Sequence, residues 1–234
     1  DVCSSDLAID PNMVNAYYQH FNFGIQHELP GGFALDLSYV GKKGTHIDAV
    51  RNINQPINGV VPYPKFEIID MNEPRASSSF HGMQTRVERR LPSGASMLVS
   101  YMWSKLLDDT TQSANPRDSY NLRLEKGLGQ EDTRHRFSAS YVLPLPFGQG
   151  RRFMSNMSGA RQAFFGGWEF SGVVRANSGI PLTPVLSFDN SGNRQPGRDR
   201  PNMVGDPQLS NPHPTKGWFN KAALATPEIG RAHV

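Results

Sequence analysis

Period-two alternation of apolar and polar residues, repeated in segment after segment, most constrains what this chain can become. In residues 33–40, Phe33, Leu35, Leu37 and Tyr39 share one parity, and Ala34, Asp36 and Ser38 the other. Successive side chains of a strand point to opposite faces, so each such run predicts a β-strand between unlike surroundings. Residues 96–105 set Met97, Val99, Tyr101 and Trp103 against Leu98, Ser100, Met102 and Ser104. Residues 136–143 set Phe137, Ala139, Tyr141 and Leu143 against Arg136, Ser138, Ser140 and Val142. Residues 168–177 set Trp168, Phe170, Gly172, Val174 and Ala176 against Glu169, Ser171, Val173, Arg175 and Asn177. Two runs are less regular: Phe21, Phe23, Ile25 and Leu29 against Asn22, Gly24, Gln26 and Glu28, and Met83, Thr85 and Val87 against Gln84, Arg86 and Glu88. No segment shows a convincing helical period.

The connections are sorted by length. LPGG at 29–32 and LPSGA at 91–95 have the Pro/Gly/Ser chemistry of hairpin turns. Residues 41–79 and 106–133 are long and polar, 144–166 is intermediate, and the tail 180–227 is long and rich in Asn, Pro, Gly and Arg. Alternate connections of a meander lie at opposite ends of the sheet, so short ones share one end and long ones the other. Outer-membrane barrels sort their periplasmic turns and extracellular loops in this way, and soluble sandwiches obey no such rule. The expectation is an all-β chain of roughly six antiparallel up-and-down strands of ~9–11 residues, part of a larger transmembrane barrel. Alone it would be an open, curved sheet with two unpaired edges.

Hydrophobic residues make up only 37% of the 234, with 22 glycines and 18 prolines. No run approaches the ~18 apolar residues of a membrane helix. The mean hydropathy of −0.50 would ordinarily indicate a water-soluble chain. A barrel strand escapes that test because only every second residue meets lipid. The expected lipid face holds Phe33, Tyr39, Val99, Tyr101, Trp103, Phe137, Tyr141, Trp168 and Phe170, with aromatics near both strand ends as interfacial girdles. The expected lumen face carries Asp36, Arg86, Glu88, Arg136, Glu169 and Arg175. His27 and Arg89 fall on the lipid parity, but close to a short turn, where an interfacial charge costs only about 0–1 kcal/mol.

The two ends are related. DVCSSDL (1–7) can be encoded by GAC GTG TGC TCT TCC GAT CT plus any base, and the reverse complement of that string encodes EIGRAHV (228–234). Both are read as sequencing-adapter-like scars flanking a partial barrel domain at 8–227. Without them Lys+Arg falls from 24 to 23 and Asp+Glu from 21 to 18, a mild net charge of +5, and the only cysteine, Cys3, is removed. That leaves no thiol chemistry, and no basic run of a nucleic-acid arm.

Other chemistry finds weak support. Asp108, Asp109, Asp118, Glu125, Glu131 and Asp132 lack the spacing of a calcium loop and read as a solvated loop surface. His81 and His135 have no partner at metal-site spacing, and His135, between Arg134 and Arg136, reads as the start of a strand. PFGQGRR (146–152) reads as a turn, because no helix follows a strand there to make a phosphate cradle. No serine sits in a G-x-S-x-G elbow. No catalytic residue, metal site or cofactor is expected, and the chain does not read as an enzyme.

Several stretches resemble the Oar-like barrel domain of TonB-dependent transporters. FHGMQTRVERRLPSGASMLVSYMWSKLLDD (80–109) resembles a strand-turn-strand unit ending in Ser-Tyr-x-Trp-Ser-Lys, and IQHELPGGFALDLSYVGKKGTHI (25–47) a Tyr-Val-Gly-x-x-Gly-Thr-His hairpin. NINQP (52–56), DTRHRFSASYVLPLPFGQGRRF (132–153), FGGWEFSGVVRANSGIPLTP (165–184) and GWFNKAAL (217–224) follow in the expected order. The resemblance implies a barrel of about 22 strands around a plug, energised by an inner-membrane TonB complex and moving a bulky ligand across the bacterial outer membrane. The partners so implied are outer-membrane lipid, plug, TonB complex and an unknown ligand. Two other classes stay open: a secreted carbohydrate-binding or adhesive β-sandwich, and an extracellular all-β hydrolase, for which no carboxylate pair is visible.

Overall fold

A computed structural model describes residues 3–109, 116–211 and 217–228. The strands are β1 (Cys3–Ile9), β2 (Tyr17–Leu29), β3 (Phe33–Asn52), β4 (Phe66–Arg90), β5 (Ser96–Asp108), β6 (Gly127–Leu128), β7 (His135–Pro144), β8 (Glu169–Asn177), β9 (Asn202–Met203) and β10 (Leu224–Ala225). Six of them, β2-β3-β4-β5-β7-β8, pair antiparallel in chain order as an up-and-down meander. β6 pairs with the end of β5, and β9 with β10 in a separate pair. The expected all-β meander is the fold.

The hairpin turns follow their sequence chemistry. Gly31 and Gly32 adopt φ of +86° and +75°, and Gly94 adopts +91°. L-residues with a Cβ rarely enter that region, so glycine closes both turns. Arg151 donates to the Ser93 carbonyl at 3.2 Å, which places the 145–168 connection beside the 91–95 turn. The short and intermediate connections therefore do share one end of the sheet.

Three expectations are corrected. β3 and β4 run for 20 and 25 residues, not ~9–11, so much of the supposed loop 41–79 is strand. At about 3.3 Å per residue and a tilt of about 45°, 25 residues rise about 60 Å, twice a ~30 Å hydrocarbon layer. The ladder continues because β3 and β4 keep pairing above the apolar zone, as far as Asn52 opposite Asp70. One short helix, α1 (Ala160–Phe165), lies in the 144–166 connection, too short to leave a periodic signature. Trp168 precedes β8 rather than lying in it, although its carbonyl accepts from the Leu145 amide at 2.8 Å and extends the ladder by one step. At the N-terminal end, β1 runs parallel to 66–72 of β4, so the backbone of 3–9 is engaged there whatever its origin.

The register aligns the alternation of all six strands. His27, Leu35, Val87, Val99, Ala139 and Val174 form one cross-strand row, and Gln26, Asp36, Arg86, Ser100, Ser138 and Arg175 the next. Adjacent rows face opposite sides, so one face is apolar and the other polar. The sheet is a single layer there: Phe23 on the apolar face is 71% exposed and Val173 on the polar face 62%. The soluble sandwich required a second sheet over the apolar face, and none of the described residues supplies one.

Burial is concentrated beyond the end of the apolar zone, where the upper parts of β3 and β4 meet 116–133 and 186–200. Buried polar side chains there outnumber the apolar Ala49, Ile69, Ala76 and Leu122.

Candidate functional site

Three surfaces have chemical content. The first is the charged strip of the polar face. Asp36 accepts from Gln26 Nε2 at 2.8 Å and lies opposite Arg86 in the register. Arg86 and Arg90 both reach Glu88, at 2.8 and 2.7 Å. β2–β4 thus bring Asp36, Arg86 and Glu88 into one patch, with Asp36 bonded to Gln26 and Glu88 to Arg86 and Arg90. Arg136, Glu169 and Arg175 share the face but stand apart on β7 and β8, in no ion pair among the described residues. The exposed pairs contribute little stability, typically 0–1 kcal/mol. Their value is a hydrated surface of mixed charge.

The second surface is the apolar face. Phe33, Tyr39, Val99, Tyr101, Trp103, Phe137, Tyr141 and Phe170 all lie on it, and Trp168 continues its parity. Arg89 lays its guanidinium over the Phe33 ring at 4.6 Å. Two tyrosine–histidine pairs were not foreseen. Tyr39 Oη lies 2.6 Å from His81 Nδ1, and Tyr101 Oη 2.8 Å from His135 Nδ1, with rings inclined by only 27° and 22°. Each joins adjacent strands diagonally, which sequence spacing cannot show. The Tyr-Val-Gly-x-x-Gly run also gains a reason. A Cβ at Gly41 would stand 2.1 Å from the Phe21 ring, and one at Gly44 2.7 Å from the Tyr18 ring. Both glycines let an aromatic ring from β2 lie across the backbone of β3.

The third surface is the polar cap. Asn54, fully buried, donates through Nδ2 to the carbonyls of Tyr63, Phe66 and Glu67, and its Oδ1 accepts from the Tyr63 amide at 2.7 Å. Asn52 Oδ1 accepts from the amides of Asn54 and Ile69. Gln55 bridges Asp118 and the Ser119 amide, and Gln195 reaches both Gln55 and Ser119. Arg51 grips Glu73 through Nε and Nη2, and Arg75 joins Glu73 to the Ser119 carbonyl. These bonds bind the 52–69 hairpin to loops 116–125 and 189–200.

The acidic loop residues are likewise corrected. Glu125 and Asp132 are buried, not solvated. Glu125 accepts from the Arg117 amide and pairs with Arg200, while Asp132 caps the Leu106 amide at 2.6 Å and Asp109 binds Ser77. They are structural acceptors, and no group of three potential metal ligands forms among the described residues. His135 does begin β7, its amide held by Ser178 Oγ. Sequence reasoning missed the cap because buried amides and loop amides have the same residue types; the dense NINQP run was the available signal.

A family model described as an outer membrane beta barrel domain matches residues 4–234. No curated protein and no solved structure matches the chain. The chain belongs to the outer membrane beta barrel domain family, and its place is the bacterial outer membrane.

Proposed function

We propose that this chain, as a member of the outer membrane beta barrel domain family, forms part of a TonB-dependent transporter of the Oar-like kind, moving a bulky ligand across the outer membrane. The observation that carries the reading is the β3–β4 hairpin, one ladder whose lower part carries the Asp36–Arg86–Glu88 patch and whose upper part builds the polar cap. Long extracellular loops are common to outer-membrane barrels, but here they are tied by buried hydrogen bonds into one cap. A receptor for a bulky ligand needs a structured surface outside the membrane, joined to a polar lumen. In this reading the short turns face the periplasm, the cap faces outward, and the lumen charges meet the plug. The chain performs no catalysis and holds no cofactor, and its partners are outer-membrane lipid, plug, TonB complex and ligand, with no nucleic acid.

The full-length protein should cross-link, through a segment outside this barrel region, to the periplasmic domain of TonB. Its disappearance from the cross-linked fraction when that segment is deleted would support the proposal. A full-length protein that never cross-links would instead be a passive barrel.

A further inference from the structure

We propose that the outer rim of the apolar face holds a phosphorylated lipid headgroup of the outer leaflet, gripped by His81, Lys105 and His135. The inference rests on the proposed orientation, with short turns inward. Among the described residues of the meander below the register slip (17–29, 33–44, 78–90, 96–108, 135–144 and 169–177), the apolar face carries no Asp or Glu, and its only ionisable side chains besides tyrosine are His27, Lys43, His81, Arg89, Lys105 and His135. The opposite face mixes both signs. Randomly placed charges would be mixed, whereas this stretch of the face is cationic or neutral.

Three of these groups sit on adjacent strands. His81 on β4 lies opposite Lys105 on β5, and His135 on β7 lies opposite Trp103, two residues along from Lys105. Direct cross-strand neighbours are about 5 Å apart and diagonal ones about 7–8 Å, so long side chains can converge on one phosphate. All three are exposed, and Lys105 has no ion pair among the described residues. The tyrosines orient the imidazoles. In the tautomer where the phenol donates to Nδ1, the ring proton sits on Nε2 and the imidazole offers an N–H away from its tyrosine. Trp103 and Tyr101 lie just below, at the level where interfacial aromatics meet headgroups. A lysine beside an anionic leaflet is drawn to it, and imidazole N–H groups can donate to the same phosphate. A headgroup phosphate lies at the height of this rim, which a free anion in water need not visit.

The test uses delipidated full-length protein in detergent, titrated with bisphosphorylated lipid A or its dephosphorylated form and read by native mass spectrometry. The phosphorylated lipid should bind at least ten-fold tighter. His81→Ala/Lys105→Ala/His135→Ala should abolish that preference, while Lys42→Ala, at similar height on the polar face, should keep it. Equal binding of the two lipids, or an unchanged preference in the triple variant, would overturn the proposal. So would displacement by millimolar inorganic phosphate, which would mark a free-anion site. Should the triple variant fail to show heat-modifiable mobility, Tyr39→Phe/Tyr101→Phe replaces it and should weaken the preference about three-fold; no change would overturn the proposal. Whole-cell maleimide labelling of the full-length protein should reach Asn58→Cys and not Ser93→Cys. The reverse would overturn the orientation specifically.

Discussion

Val99 and Ser100 are neighbours on β5 whose side chains meet different surroundings. Val99 lies in the row Leu35–Val87–Val99–Ala139 on the apolar face, and Ser100 lies between Arg86 and Ser138 on the polar face, which the barrel reading turns to lipid and lumen. An arginine facing mid-bilayer costs about 2–4 kcal/mol, whereas a lumen arginine stays hydrated. Val99→Arg should therefore depress folded yield in lipid vesicles, read by heat-modifiable mobility, far more than Ser100→Arg. The pair Tyr141→Arg and Ser140→Arg gives the cleaner contrast. Ser140 shares its row with Glu88, while Ser100→Arg would meet Arg86 directly. Equal losses in both pairs would mean that neither face meets lipid. At Gly41 the constraint is steric: Gly41→Ala drives a methyl into the Phe21 ring and should cost about 1–3 kcal/mol, as overpacking does. Phe21→Leu in the same chain should recover much of that loss, and additive effects would show that the ring does not lie on the glycine. These assignments were legible because parity is a property of consecutive residues. The Phe21–Gly41 contact was not, because it depends on which strands pair and in what register.

The β3–β4 hairpin changes character along its length. Below, alternation sets its faces; above, buried hydrogen bonds hold it. Asn54 satisfies three carbonyls and one amide of the hairpin tip. Asn54→Ala would leave several of these groups buried without partners, at about 1–3 kcal/mol each. Amide exchange over 53–69 should accelerate at least ten-fold, with vesicle insertion unchanged. A matching loss of insertion would show that arm and membrane strands fold as one unit. Deletion of 1–7 tests the edge of the same arm. It removes most of the parallel partner of 66–72, so exchange at those β4 amides should rise while heat-modifiable mobility persists. The arm was hidden from sequence reasoning because alternation records contrast between two surroundings, and in the upper ladder polar and apolar residues stand on both faces. Glu125 and Asp132 were misread for a related reason: a carboxylate that caps a buried amide has the same letter as one in water.

Taken whole, the described sheet ends in two open edges, β2 and β8, each with a row of unpaired backbone groups. Residues 8–227 expressed alone should aggregate without detergent, since such edges template further pairing. A stable soluble monomer would remove the barrel reading. Strand order and the charges of the polar face were readable because up-and-down topology pairs sequence neighbours; among the described residues, nothing pairs with the outer edge of β2 or β8. One earlier detail has a mechanical meaning. The β3–β4 ladder keeps strict register from Phe33 to Gly44, slips between Gly44 and Ala49, and resumes to Asn52. A stiff rod held at one end and interrupted by two adjacent slips, between Gly44 and Ile47 and between Ile47 and Ala49, is a lever hinged over one short stretch. A load on the cap would therefore be taken up by rotation about that stretch, sparing the rows of the apolar and polar faces below it.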